Sequence, residues 1–216
     1  MKNIVRWWIA VTVCFAVIDA GATILTFNGI SVPNDTTMPG TYGDNVSSTG
    51  PDANGHTYGM GNAFTPKIQL AYGPGTSVRY YNDASWPTVA YLTGVAANDF
   101  TFTPDPGYGV KINSFNLIDY PSFGGGHTNT WTIYKDVAGG TVLASGTVTV
   151  PPNTTTSVTT GFGGYMGTTI LRITQVTQER TDDLALDNLN FDQIPEPSTI
   201  ALLSLGGLLV LRKRKV

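Results

Sequence analysis

Apolar residues along the chain fall in short blocks separated by glycine, proline, asparagine and aspartate. Blocks rich in valine, isoleucine, threonine and aromatic residues predict strands at 24–27, 67–72, 88–92, 100–103, 110–117, 130–134, 141–150, 169–176 and 183–191. The punctuation between them reads "SVPNDTTMPGTYGDN", "TPDPGYG", "PSFGGG", "VAGG" and "VPPNTTT". Between the two ends of the chain, no apolar pattern of helical spacing lasts ten residues. Short strands joined by turn-rich loops predict an all-β protein, a single antiparallel β-sandwich or jelly roll. A propeller or β-helix would need an internal repeat, and none is visible.

The two ends follow other patterns. Lys2 and Arg6 precede an apolar stretch from Trp7 to Ile18, and Ala20-Gly21-Ala22 supplies the small-x-small site that signal peptidase reads. The expectation is a signal peptide over residues 1–22, cut after Ala22. Cys14, the single cysteine, lies inside it, so the exported body has no thiol, disulfide or cysteine-based metal site.

At the other end, Pro195, Glu196 and Pro197 precede a twelve-residue apolar run, Ile200 to Leu211, and the bases Arg212, Lys213, Arg214 and Lys215. Such a run is about 18 Å long as a helix, against a hydrocarbon core of about 30 Å, so it spans poorly. The bases favour a cytoplasmic end, with the body outside. The order of motif, short hydrophobic helix and basic cluster resembles the PEP-CTERM sorting signal, here residues 194–216. That resemblance implies an exosortase, a membrane transpeptidase-like protease, as partner. It also implies a membrane-tethered intermediate, followed by delivery to the cell surface or extracellular matrix of a Gram-negative-type bacterium.

Residues 23–193 form the remaining domain. They hold six basic and thirteen acidic side chains, twelve of them aspartate, for a net charge of −7. Nucleic acid is not an expected partner, because the basic residues cluster only in the tail. The segments "GDNVSSTG", "GMGNAFTPKIQLAY", "FTFTPDPGYGVKINSFNLIDY", "LRITQ" and "DDLALDNLNF" resemble galactose-binding-like, or discoidin-like, jelly rolls. No carbohydrate site of such folds maps onto this chain residue by residue.

Candidate chemistry is sparse. His56 and His127 lie in glycine-bounded loops, "NGHTYG" and "GGGHTN", and read as solvated. No zinc-protease, serine-nucleophile or phosphate-loop motif occurs, and the body has one glutamate, Glu179, so a non-catalytic protein is expected. Many turn oxygens suit a calcium ion. Strand alternation predicts that Asp187 shares a face with Ala185, Leu189 and Phe191. There it either meets Asp44 or Asn45 around calcium or accepts backbone N–H groups. "PDANGHTYG" reads as a turn, not as an ion-binding loop. Tyr80, Tyr81 and Trp86 either form a platform for sugar rings or pack in the core, while Trp131 alternates with Ile133 as a core residue. Two functions follow: a non-catalytic surface or matrix protein retained with exopolysaccharide, or a secreted carbohydrate-binding module or polysaccharide-active enzyme.

Overall fold

The structure is a computed structural model, and it describes residues 22–30, 32–61, 64–73, 78–82, 88–93, 97–119, 126–176 and 184–196. The apolar leader, Trp86, Pro197, the run 200–211 and the bases 212–215 lie outside the described residues.

The described chain is all β. Its strands are β1 (Ala22–Leu25), β2 (Thr36–Thr37), β3 (Gly59–Met60), β4 (Ile68–Gly73), β5 (Val78–Tyr81), β6 (Val89–Leu92), β7 (Asn98–Pro104), β8 (Tyr108–Asp119), β9 (His127–Lys135), β10 (Val142–Val150), β11 (Thr155–Thr159), β12 (Thr169–Gln175) and β13 (Leu184–Pro195). Each of the nine expected strands is present, with shifted ends. One sheet runs β11-β8-β13-β6-β5-β2, with β1 and β3 added beside β13; the other runs β10-β9-β12-β7-β4. Every pairing is antiparallel.

The two sheets face each other across one apolar core. Alternation supplies it: Phe100 and Phe102 from β7, Trp131 and Ile133 from β9, Leu171 and Ile173 from β12, and Phe115 and Leu117 from β8 all point inward. Phe102 meets Phe191 edge-on at 5.0 Å, and Phe115 meets Trp131 at 6.4 Å, so aromatic pairs join the layers.

β13 departs from simple alternation. Ala185 packs with Val89 and Ile118 in a small outer cluster, whereas Leu184, Leu186, Leu189 and Phe191 belong to the core. Leu186 and Leu189 can both face inward only if one residue is extra, and the register does shift between Asp187 and Asn190. Asn188 there has φ 50°. At this bulge the strand exchanges neighbours, from β6 at Leu184–Leu186 to β1 at Leu189–Asp192. Asp187 therefore pairs with Asn116 and does not share the face of Leu189 and Phe191.

The sandwich has two distinct ends. Ala22 opposes Asp192, and the tight Asp105–Gly107 connection joins the end of β7 to the start of β8. Both termini of the described fold, Ala22 and Glu196, thus leave from one end, the terminal end. The opposite end carries the end of β8 and the start of β9.

Candidate functional site

At the far end the inward-facing positions turn polar. Continuing each strand by two residues beyond its last apolar position places Asn98 beyond Phe100, Asn129 and His127 beyond Trp131, Gln175 beyond Ile173 and Asp119 beyond Leu117. All five are buried. Asp119 closes the layer between the sheets. Its Oδ1 lies 2.9 Å from His127 Nε2, its Oδ2 accepts Asn153 N–H at 3.2 Å, and its own N–H donates to Thr154 C=O at 3.1 Å. The β10–β11 turn wraps this carboxylate, helped by the left-handed Asn153, φ 58°. Both histidines are thus buried, contrary to the solvated reading. His127 starts a core strand, and His56 packs edge-on against Tyr42 at 5.5 Å.

Asn129 and Gln175 oppose each other across β9 and β12. Asn129 Nδ2 donates to His127 C=O at 3.3 Å; among the described residues its Oδ1 has no hydrogen-bond partner, nor have Gln175 Oε1 and Nε2. A buried amide group left so costs about 1–3 kcal/mol. The layer therefore offers acceptors and a donor side by side, beneath the far end of the core.

The residues expected to hold calcium each bond to nearby backbone groups. Asp44 Oδ1 accepts Leu70 N–H at 2.6 Å, and Asn45, at φ 48°, donates its N–H to Ile68 C=O, so both shape the entry to β4. Asp187 Oδ1 accepts Asn188 N–H at 2.7 Å at the bulge. Among the described residues, no three histidine or carboxylate groups converge as a metal site. In "PDANGHTYG", Asp52 accepts N–H from Asn54 and His56 and the Tyr58 hydroxyl at 2.6 Å, which makes it a turn.

Burial pushes the Asp187 carboxyl from 3.8 up to about 6, although the Asn188 N–H opposes the shift. The folded state therefore takes up this proton before the unfolded chain does, and stability falls as pH rises from about 4 to about 6. Asp187→Asn keeps the acceptor and removes the charge. It should raise stability by about 1–2 kcal/mol at pH 7, allowing for partial exposure, and change little near pH 3.5. Urea midpoints at the two pH values measure this; a lower midpoint at pH 7 would refute it.

The proposed aromatic platform divides. Along β5, Val78 and Tyr80 point into the core and Arg79 and Tyr81 outward, so Tyr80 is a core residue. Tyr81 instead pairs with Tyr91 of β6 at 5.6 Å, beside the outer cluster of Val89, Ile118 and Ala185.

The terminal end shows how the tail leaves the fold. Ile194 opposes Gly109, Pro195 opposes Tyr108, and Glu196 N–H donates to Gly107 C=O at 2.9 Å. Adjacent residues of a strand direct their N–H groups to opposite sides. The Pro195 nitrogen thus points away from β8, and its missing N–H costs no bond of the β13–β8 ladder. Gln193 Oε1 accepts Lys67 N–H at 3.0 Å, fixing this end of β13 to the entry of β4. Beyond it stand Pro197, the apolar run and the four bases. Residues 193–215 match the PEP-CTERM protein-sorting motif. The PEP-CTERM motif thus begins inside the last strand of the sandwich, and its first proline is a folded residue.

Solved structures similar to this chain include a Stig cyclase, Fisc, from Fischerella sp. TAU, at 16% identity and TM-score 0.39, covering 82% of this chain and 99% of that one. A family 11 carbohydrate-binding module from Clostridium thermocellum, in complex with a mixed-linked tetrasaccharide, has 13% identity and TM-score 0.30, covering 82% and 98%. TmCBM61 in complex with beta-1,4-galactotriose has 13% identity and TM-score 0.28, covering 60% and 88%. No curated protein matches the chain.

Proposed function

We propose that the chain is an exported, non-catalytic β-sandwich that its PEP-CTERM tail delivers to the cell surface or extracellular matrix after cleavage by an exosortase. One observation carries this reading: the sorting motif continues the final strand without a linker, so folded body and address form one unit. Removal of the leader by signal peptidase, a membrane-tethered intermediate and retention with exopolysaccharide complete the proposal. The bonds that hold Pro195 and Glu196 favour a cut on the C-terminal side of Glu196. Intact mass of the protein from its native host tests it. The expected product starts near Thr23 and lacks the residues after Pro197. A product that keeps Arg212–Lys215 would make the tail a plain membrane anchor.

A second reading, carbohydrate binding, is favoured by the far-end layer. A ligand hydroxyl both donates and accepts, as Asn129 Oδ1 and the Gln175 amide, unpartnered among the described residues, require; both are closed to solvent, so this reading needs the far-end layer to open. Soluble oligosaccharides that leave the tryptophan fluorescence of the chain unchanged would count against it.

A further inference from the structure

The terminal end differs from the rest of the surface. Of the large apolar side chains that are exposed among the described residues, Val137 (63%), Val142 (54%) and Met166 (38%) lie at this end, and only Val176 lies at the other. Val137 tips the β9–β10 turn and Val142 opens β10. Met166 belongs to the loop before β12, which is tied to the same turn: Lys135 Nζ stands 5.4 Å over the Tyr165 ring, and the Tyr165 hydroxyl donates to Asp136.

Charge is distributed just as unevenly. The three lysines of residues 23–193, Lys67, Lys111 and Lys135, are all at this end, beside Asp105, Asp192 and Asp136 at 3.4, 4.0 and 4.0 Å. These pairs cancel.

The tail fixes what this end faces. From Glu196, bonded to Gly107, to Ile200, where the apolar run begins, is four residues, a reach of at most about 14 Å. The run itself, about 18 Å as a helix, is shorter than the hydrocarbon core. A short run enters only if its flanks sink toward the headgroups, drawing the attached fold with it.

We propose that the terminal end is a membrane-contact surface, with Val137, Val142 and Met166 set into the headgroup layer of a phospholipid bilayer while the tail is attached. The lysines face lipid phosphates, and the far-end polar layer points away. This inference rests on the reading of the tail as a membrane-directed segment, and the test separates the two.

The full chain with Cys14→Ser has no cysteine, so Val137→Cys, Val142→Cys, Met166→Cys and, as control, Val176→Cys each take one environment-sensitive fluorophore. The labelled chains are reconstituted with vesicles of phosphatidylcholine and phosphatidylglycerol, with or without brominated acyl chains. Co-flotation that is lost when residues 198–216 are deleted reads the tail, since the apolar leader is present in both chains; loss of emission to the brominated lipid reads the contact. Flotation with quenching at 137, 142 and 166 but not at 176 is the expected result. Flotation with all four labels unquenched, or equally quenched, overturns the membrane-contact surface and leaves the tail reading intact. No flotation overturns both.

Discussion

His127→Ala lowers the unfolding free energy of the full chain by about 3–5 kcal/mol, whereas Asp119→Ala costs only about 1–3 kcal/mol. The two partners differ in what each leaves behind. Without the carboxylate, one imidazole nitrogen loses its neighbour. Without the imidazole, an acidic side chain buried at the end of the core loses a neighbour at 2.9 Å and keeps the Asn153 N–H at 3.2 Å. Urea unfolding followed by circular dichroism measures both variants, and His127→Gln, which restores an N–H donor, should recover part of the loss. Equal losses, or losses below about 0.5 kcal/mol, would mean that this pair is solvated and is not a core element.

That experiment also bears on how much of the fold was legible. The strands could be read because β-branched and aromatic blocks alternate with turn residues, and β4, β7, β9 and β12 each carry at least two inward apolar positions. β11 was hidden: of Thr155–Thr159 only Val158 is buried, so an edge strand of threonines looks like a polar loop. β5 was hidden by its aromatics, since "VRYY" reads as a patch until the period of two sends Tyr80 inward and Tyr81 outward. The bulge in β13 could not be read at all, because it answers to a change of neighbouring strand, which is a property of topology. It alone reversed the placement of Asp187.

The far-end layer was legible in part. Extending the alternation back from Ile133 and Trp131 reaches Asn129 and His127, and extending it forward from Leu171 and Ile173 reaches Gln175. Polar residues in core register mark a layer that must find partners. The glycines around His127 drew attention to the loop instead of to this register. Asp119 and His127 are separated by "YPSFGGG", so their pairing depends on how β8 and β9 meet across the sandwich. The sorting motif was legible for the opposite reason, since composition and order along the chain suffice for it. What the chain could not reveal was that Pro195 belongs to β13.

Phe191 links that strand to the fate of the tail. It is fully buried, its backbone lies between Thr23 of β1 and Ile112 of β8, and its ring meets Phe102 of the other sheet. Phe191→Ala should cost about 3–5 kcal/mol, through lost burial and the cavity left between the sheets. Phe191→Leu, which keeps most of the volume, should cost about 1–1.5 kcal/mol. The loss falls on the segment whose last residues, Gln193 to Glu196, lead into the sorting motif. A loosened β13 exposes the 193–196 backbone that β8 and Gly107 otherwise hold, so cleavage should spread inward. Intact mass from the native host should then show C-termini before Glu196 for Phe191→Ala and a single native terminus for Phe191→Leu. Native termini in both variants, together with the expected loss of stability in Phe191→Ala, would show that the sorting machinery takes its substrate without regard to how firmly the fold holds the motif.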